Sequence, residues 1–485
     1  MKKLIFSFLI VVVASSCGDL LDETPKDFIS PQNFYETEKD LEAALSGVYQ
    51  TMWVRDLQCT YYNYINLHTD YASARGSYTS VGNFDKVLGS DTYDRLNSFW
   101  RYHYMRINRA NVVLERGPQV GNIAENVRDR ILAEAHFLRA FSYFQLLRYW
   151  GPVPLRTVEF SGERAIDVPR ATKGEVYDLI LSDLAIADRD LPKDVGSATG
   201  RASKWAAKML MAQVYLDMED WPAAAEKADE VIKSNKYSLV TVGQADDYYK
   251  IFAVKTFSSE EIMSYHFSQN VKPTFQEWYH GQGTPYNRGV TRGFTNLPNP
   301  ETPFIQDWDE NDLRKGFNLY SSYMDDNGTM VHLTGVGSTR YKKFIKDPSG
   351  DALYIIPIYR LAEAYLMYAE ASCMANGSPT TLGLERLNAT KRRAYGYSPD
   401  VVSPVDFPAG MGRDDFRDAV IQERGYEFFM ESLRWWDLKR TGKAQERITE
   451  ASGKTFIDHR LLFPIPQPEM ETNKAITQAD QNPGY

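Results

Sequence analysis

The feature that most constrains the fold is an alternation of small and large residues between positions 203 and 234. Small residues recur three or four positions from large ones: Ala207, Leu210, Ala212, Tyr215, Ala225, Ala228 and Val231. This spacing places them on one face of each of two helices, with Asp220 and Trp221 at the break between the helices. Small residues let two helices approach and large ones fill the gap, so the segment predicts a helical hairpin.

Weaker copies of this pattern occur elsewhere in the chain. Residues 135–140 and 175–191 are the two halves of one such copy, and Arg360–Tyr365 and Leu382–Ala394 are the two halves of another. The unit resembles a tetratricopeptide-like hairpin, and stacked hairpins of that kind bury their faces only on each other. We therefore expect a mainly α fold, with residues 31–485 forming one large domain around a superhelical body of such hairpins.

Helical periodicity also sets the expected limits of the main helices. Runs with few internal glycines or prolines predict helices at Leu41–Trp53, Trp100–Arg116, Asn126–Trp150, Lys173–Asp190, Ser203–Met218, Trp221–Ser234, Pro357–Met374, Leu382–Ala394 and Arg413–Arg440. Capping residues agree with these limits. Thr172 is followed by Glu175 in a capping-box pattern, Ser203 precedes its helix, and Gly151 with Pro152 ends the helix at Trp150.

Composition excludes several classes of protein. Of the 485 residues, 43% are hydrophobic and 25% charged, which fits a folded chain and not a disordered one. The net charge is −9 and no block of five like charges occurs, so a nucleic-acid partner is not expected. The only cysteines, Cys17, Cys59 and Cys373, make neither a disulfide framework nor a zinc spacing.

The first residues predict a targeting segment. Two lysines precede an apolar run from Leu4 to Ala14, which is too short to span a bilayer but typical of a signal peptide covering residues 1–16. The small residues Ala14, Ser15 and Ser16 directly precede Cys17. This arrangement resembles the site where bacterial lipoproteins are cleaved and lipidated. Residues 17–30 then form an acidic tether, similar to an export signal for the outer face of the outer membrane. Ordinary secretory cleavage, with Cys17 incidental, is the alternative.

Two long stretches rich in Gly, Tyr and Asn, residues 57–97 and 270–337, are the expected location of a binding site. Eight tyrosines fall within residues 61–104, where an even spread of the 31 tyrosines would give about three. Oligosaccharides need flat aromatic surfaces for stacking and planar polar groups for their hydroxyls. The candidate contacts are Tyr71, Arg75, Tyr78, Phe84, Trp278, Tyr279, Tyr286 and Arg292. Trp100, Tyr102 and Tyr104 are expected in helix packing.

The candidate motifs for catalysis or metal binding are incomplete. Ser452–Thr455 resembles the end of a phosphate-binding loop but lacks the earlier glycine. The run that starts at Asp307 resembles a calcium loop, yet Asp312 occupies the place of the turn glycine. His136 lies in a helix among apolar residues and is expected to pack there. No carboxylate pair is singled out, so we expect no catalytic residue and no cofactor, with calcium at another kind of site left open.

Eight blocks of sequence run in order along the chain: 131–155, 168–180, 200–216, 358–371, 387–394, 421–440, 463–470 and 481–485. Together these blocks resemble the successive signature blocks of the SusD/RagB family. One departure lies in Glu431-Ser432-Leu433, where the family usually has a Glu-Gly pair before its Arg-Trp, and we expect it inside a helix. A second lies at Asn388-Ala389-Thr390, which precedes Lys391 where the Asn more often leads into Arg.

The resemblance implies a lipid-anchored protein on the extracellular face of the outer membrane. Family members capture nutrient oligomers, mostly glycans, as lids over SusC-like TonB-dependent transporters, and they are not enzymes. Two alternatives stay open: a RagB-type peptide binder, and a structural protein that only docks on the transporter. The helical body is expected to dock, because it offers a rigid extended face, and the loops are expected to hold the ligand.

Overall fold

The computed structural model describes residues 35–53, 61–160, 166–198, 200–252, 258–267, 284, 295–344 and 355–485. Within these ranges the α-helices are α1 Glu38–Gln50, α2 Tyr61–Leu67, α3 Thr79–Gly82, α4 Ser90–Arg116, α5 Glu125–Trp150, α6 Lys173–Asp190, α7 Lys204–Met218, α8 Trp221–Lys233, α9 Tyr249–Phe252, α10 Pro303–Gln306, α11 Leu313–Asn318, α12 Leu361–Asn376, α13 Thr381–Ala394, α14 Arg413–Glu427, α15 Arg434–Arg440, α16 Ala444–Ser452 and α17 Gln467–Thr472. The mainly α prediction is confirmed.

The long helices pack in series as a layered array. Each of α4 to α8 contacts the next, and α12 then packs against α8 although more than a hundred residues separate them in the chain. α13 and α14 also pack against α12. The three predicted hairpin pairings, α5 with α6, α7 with α8 and α12 with α13, are all present. Helices distant in sequence therefore form one body, as expected for stacked hairpins.

Local sequence explains where these helices start and how closely they pack. The Thr172 hydroxyl accepts a hydrogen bond from the Glu175 amide at 3.2 Å, and the Glu175 carboxylate accepts from the Thr172 amide at 2.7 Å, which completes the predicted capping box. Ser203 caps α7 by accepting from the Ala206 amide. Ala207, Ala212 and Ala228 have no exposed surface, so the small residues of the repeat do face neighbouring helices.

Short antiparallel strand pairs lie beside the helices. The strands are β1 Ala72–Ala74, β2 Glu261–His266, β3 Asn296–Pro298, β4 Leu319–Tyr320, β5 Ser322–Met324, β6 Met330–His332, β7 Arg340–Tyr341 and β8 Ile355–Arg360. β1 pairs with β3, β2 with β8, β4 with β7 and β5 with β6. All of these strands except β1 belong to the long segment between α8 and α12, and β1 joins that segment by pairing with β3.

Three predicted helices are wrong in their limits. The helix expected from Trp100 already begins at Ser90, within the stretch predicted to be irregular. The helix expected from Pro357 begins at Leu361, because residues 355–360 form β8 and pair with β2. A short apolar run of this kind suits a buried strand as well as a helix, so periodicity alone does not separate them.

The predicted helix Arg413–Arg440 is two helices, α14 and α15, with a break at 428–433. Met430 and Ser432 have φ values of 62° and 63° there, which a continuous right-handed helix does not contain. Ser432, the departure from the family's Glu-Gly pair, therefore lies in the break and not inside a helix. A left-handed backbone explains why glycine suits this position.

A buried charge network joins the segment between α8 and α12 to the helical array. It consists of Glu260, Arg314, Lys343, Arg360, Arg393, Glu427 and Glu431, each at most 6% exposed. Glu427 is the centre, since Arg314, Arg360 and Arg393 all donate to its carboxylate, Arg360 at 2.5 Å. Burial opposes its ionisation, but the charges of these three arginines outweigh burial and hold the pKa of Glu427 well below its usual range.

A late segment of the chain closes the end of α5. The Trp150 indole donates to the Pro464 carbonyl at 2.9 Å, and the Asn482 side chain donates to the Trp150 carbonyl at 2.9 Å. Phe463 stacks on Tyr149 with ring centroids 5.3 Å apart. Residues 463–482 therefore cover a helix end that lies more than 300 residues earlier in the chain.

None of the helices in the described ranges is both long enough and apolar enough to cross a bilayer.

Candidate functional site

The two stretches predicted to hold the binding site meet in the structure. β1, from the first stretch, pairs with β3, from the second, with Ser73 opposite Leu297. The Arg75 amide donates to the Thr295 carbonyl at 2.8 Å, and the Asn63 side chain donates to the Thr295 hydroxyl at 2.9 Å. We call the surface around β1 and β3 the loop face.

Tyr71 lies beneath this face, not on it. Its ring is fully buried between Phe429, at 4.4 Å, and Phe304, at 5.1 Å. Its hydroxyl donates to Asn66 at 2.8 Å and accepts from the Met430 amide at 3.2 Å, while burial raises its pKa above the usual value. Tyr71 therefore braces the break between α14 and α15 and has no ring face for a sugar in this structure.

Tyr78 and Phe84 are buried in the same way, with 2% and 3% of their surfaces exposed. The Arg95 guanidinium lies 4.3 Å from the centre of the Tyr78 ring, and Phe456 stacks on Phe84 at 4.7 Å. The prediction that these rings are exposed for stacking is wrong, as it is for Tyr71. The Gly- and Tyr-rich composition suggested a surface loop, but residues 61–97 contain α2, β1, α3 and the first turns of α4. The rings of Tyr71, Tyr78 and Phe84, between these elements, pack inward.

Arg75 is exposed at the end of β1, as a contact residue requires. Ser77 and Asn83 lie nearby in the chain, and the Arg95 guanidinium donates to the Ser77 hydroxyl at 3.4 Å. The other four predicted contacts, Trp278, Tyr279, Tyr286 and Arg292, lie outside the described residues. The described part of the loop face thus supplies polar groups, without the predicted aromatic rings.

A second concave surface combines rings with polar groups, and sequence reasoning missed it. This groove has a volume of about 590 Å³ and lies between the start of α4 and residues 466–472, with Asp94, Asn97 and Arg101 on its rim. The Trp100 and Tyr104 rings are 4.9 Å apart, and the Arg156 guanidinium lies 4.9 Å from the Tyr104 ring.

Glu469 ties the groove together. It accepts from Arg156 at 2.7 Å and from the Trp100 indole at 3.3 Å. Trp100 is 5% exposed, so the expected packing role holds for it, while the half-buried Tyr104 also faces the groove. The signal available in the sequence was the Trp and Tyr pair at a four-residue spacing beside Asn97 and Arg101, on one face of a helix.

The described residues contain no cluster of three or more His, Cys, Asp or Glu side chains that could hold a metal ion. Near the predicted calcium-loop run, Asp309 accepts from the Asn311 amide at 2.9 Å, and Asp312 pairs with Arg314 at 2.6 Å. His136 contacts Asp183 at 2.6 Å between α5 and α6, which confirms its expected packing role.

Both halves of the chain match family models. Residues 19–216 match a model described as SusD-like, "starch-binding associating with outer membrane", and residues 265–485 match the SusD family model. The chain belongs to the SusD family. The family assignment also supports the prediction that the chain is a binding protein and not an enzyme.

Similarity to individual SusD-like proteins extends over the whole length of this chain. SusD-like protein P2 of Formosa agariphila is 27% identical, and the alignment covers 100% of both chains. The starch-binding protein SusD of Bacteroides thetaiotaomicron is 26% identical over 75% of this chain and 74% of its own.

Solved structures show the same fold. A SusD homologue from Bacteroides thetaiotaomicron has a TM-score of 0.78 at 24% identity, covering 94% of this chain and 98% of that chain. A structure described as a laminarin-binding SusD-like protein has a TM-score of 0.75 at 25% identity, covering 93% of this chain and all of the other.

Proposed function

We propose that this protein binds oligosaccharides at the extracellular face of the outer membrane and delivers them to a SusC-like TonB-dependent transporter. The observation that carries the proposal is the SusD family match in both halves of the chain, one half described as starch-binding and associated with the outer membrane. The naming of one relative as starch-binding and of one structural neighbour as laminarin-binding supports a glycan ligand.

The ligand site we propose is the loop face. β1 and β3 bring the two candidate stretches together there, and Arg75 is an exposed guanidinium suited to orienting sugar hydroxyls. Arg292 precedes Thr295 by three residues in the sequence, and Trp278, Tyr279 and Tyr286 belong to the same stretch. Since Tyr71, Tyr78 and Phe84 are buried, stacking at this site depends on the aromatic residues of the second stretch.

The groove at Trp100 and Tyr104 is the competing location, because its rings and polar rim also suit a sugar. Isothermal titration with starch and laminarin oligosaccharides separates the two. The double variant Trp278→Ala/Tyr286→Ala should weaken binding about 5- to 150-fold, since each stacked ring contributes about 0.5–1.5 kcal/mol. Arg75→Ala should weaken it several-fold, whereas Arg101→Ala at the groove should leave affinity unchanged.

Loss of binding in Arg101→Ala, with the loop variants unaffected, would move the site to the groove. If the unmodified protein binds a glycan and every variant binds it with the same affinity, both proposed locations are wrong. Absence of glycan binding together with copurifying peptides would favour a RagB-type ligand. Thermal melts of all variants confirm that folding is kept. The bound oligosaccharide should also be recovered intact after incubation, because no catalytic step is proposed.

The anchor we propose is lipid on Cys17, which lies outside the described residues. Two or more acyl chains give stable membrane attachment, because each buried methylene contributes about 0.8 kcal/mol. Cys17→Ala should therefore move the protein from the membrane fraction to the soluble fraction in cells that lack the transporter. Cys59→Ala serves as the matched control and should stay with the membrane. A Cys17→Ala protein that remains membrane-bound there contradicts lipid anchoring.

The partner we propose is a SusC-like transporter, contacted through the helical array. Solubilised outer membranes should yield both proteins together when either is purified. The loop variants Trp278→Ala and Tyr286→Ala should keep this association, because the array and not the loop face makes the contact. Association that disappears in these variants would place the transporter on the loop face instead.

A further inference from the structure

A small cavity lies where the helical array meets β8 and the break between α14 and α15. Its volume is about 60 Å³, and its lining includes His103, Arg106, Gln145, Tyr359 and Glu431. By comparison with the ~30 Å³ that one water occupies in the liquid, the space suits about two waters or one small ion. His103 and Arg106 stand one turn apart on the inner side of α4, and both are buried, with 2% and 0% exposed.

Arg106 is a buried cation without a carboxylate partner in the part of the chain that the structure describes. Its guanidinium donates to the Thr51 hydroxyl at 2.8 Å, the Thr51 carbonyl at 3.2 Å and the Ser142 hydroxyl at 3.2 Å. A guanidinium carries five N–H groups, so donors remain after these three bonds. Arg139 and Arg148, on the adjacent α5, instead pair with Asp183 and Asp217 at 2.7 and 2.8 Å.

His103 adds unused hydrogen-bonding capacity beside this cation. Neither of its ring nitrogens has a partner among the described residues, although the side chain is almost fully buried. Burial, with the Arg106 charge, lowers the pKa of His103 well below its usual value, so the ring is neutral and one nitrogen donates. A buried polar group without a partner is costly and needs an explanation.

The other charges that line the cavity are already balanced. Glu431 accepts from Lys343 at 2.7 Å and from Arg360 at 2.9 Å, and Arg148 is paired with Asp217. Burial lowers the pKa of Arg106 to about 10, which still leaves it protonated at neutral pH. The lining therefore carries one unbalanced positive charge with donors beside it.

We propose that this cavity binds one small monovalent anion, a halide or a small carboxylate such as formate, between His103 and Arg106. Charge-assisted hydrogen bonds from both side chains would hold it, and its charge would offset the burial of Arg106. The site is independent of the glycan site. Because α4, α5, β8 and residues 431–433 all border the cavity, the bound anion stabilises the junction between the helical array and the rest of the fold.

Bromide is the direct probe, since its anomalous scattering locates it in a crystal. Crystals of the unmodified protein soaked in sodium bromide should show an anomalous peak in the cavity, in contact with His103 and Arg106. Competition with formate should remove that peak if the site also accepts carboxylates, and keep it if the site is halide-selective. Bromide bound elsewhere, with only water in the cavity, would overturn the proposal.

Thermal melts test the same site in solution. At matched ionic strength, sodium bromide or formate should raise the melting temperature by about 2–4 °C over sodium gluconate, whose anion is too large for the cavity. His103→Leu should lose this response. His332→Leu, on the exposed strand β6, is the matched control and should keep it. A full response in His103→Leu would contradict the proposed site, and if that variant does not fold, the bromide experiment decides.

Discussion

The interface of the α7–α8 hairpin and the charge network are both buried, but apolar packing dominates in the first and ion pairing in the second. In the hairpin, Ala207, Ala212 and Ala228 let the helix axes approach through apolar contact, with a single ion pair between Lys208 and Glu230 beside them among the described residues. In the network, the Glu427 carboxylate accepts hydrogen bonds from three arginines that come from three separate parts of the chain. A region built from neighbours in sequence packs mainly by shape, whereas distant segments here are joined by buried charge pairs, and the loss of one partner from such a pair is strongly destabilising.

Removing Glu427 should test this contrast with the largest effect. Glu427→Gln leaves Arg314, Arg360 and Arg393 with one buried negative charge fewer, and breaking such a buried set costs about 3–5 kcal/mol. Urea unfolding measures the loss in the free energy of unfolding.

Glu423→Gln is the matched control, one turn earlier on α14. Among the described residues Glu423 accepts from Arg314 alone, at 2.7 Å, and burial raises its pKa above the usual value, so its charge is stabilised less. Its loss should be clearly smaller than that of Glu427→Gln. Equal losses would show that both carboxylates contribute only general packing.

Acid should weaken the charge network before it affects the hairpin. Burial opposes ionisation, but arginine charges outweigh it and hold the pKa of Glu427 below its usual range. The same holds for the pKa values of two buried carboxylates outside the network, Glu370 and Asp437, which pair with Arg440. Their stabilisation is complete above the pKa of the unfolded chain, about 4, and is lost as pH falls further, at about 1.4 kcal/mol per pH unit for each proton taken up.

The free energy of unfolding should therefore fall steeply as the pH is lowered below about 4, as measured by urea titrations at each pH. Glu427→Gln should show a shallower fall than the unmodified protein. Parallel curves for the two proteins would mean that Glu427 does not contribute to the acid response.

Enlarging the hairpin interface should have an intermediate effect. Ala212 is fully buried, so Ala212→Leu forces an extra three carbons into a packed interface and should cost about 1–3 kcal/mol. Ala223→Leu in the first turn of α8, where the side chain is half-exposed, should change stability by less than about 0.5 kcal/mol. Thermal melts of both variants check this, and tolerance of Ala212→Leu would show that helix approach does not depend on small residues.

Ser432 offers the smallest and most local test. Its φ of 63° is left-handed, and its hydroxyl accepts from the Asn66 side chain at 3.3 Å. Ser432→Gly should change the free energy of unfolding by less than about 1 kcal/mol, because relief of the backbone offsets the lost hydrogen bond. Ser432→Ala keeps the strain without the hydroxyl and should be the less stable variant in thermal melts. The reverse order would mean that the hydrogen bond, not the backbone, matters there.

What the sequence predicts well is local. α6 begins and ends at the predicted residues, because Thr172 and Glu175 encode its start within four positions. Features set by distant partners escaped prediction. The break at Met430 and Ser432 leaves the helical periodicity intact, and β8 needs β2, almost a hundred residues earlier, to become a strand.

The candidate site follows the same rule. The sequence located the two stretches that meet at β1 and β3, and it placed Arg75 on the surface. It did not show which rings turn inward, because burial of Tyr71 depends on Phe304 and Phe429, more than two hundred residues away. The groove beside Trp100 was missed for the same reason, since Arg156 and Glu469 complete it from remote positions.

The cover that residues 463–482 place over the end of α5 sets an order of events during biosynthesis. Tyr149 and Trp150 emerge from the ribosome more than 300 residues before Phe463 and Asn482, so the end of α5 stays uncovered while most of the chain is made. Such long-range closure slows folding and prolongs exposure of aromatic surface. A product that stops before Phe463 keeps that surface exposed, which makes it a target for chaperones and proteases.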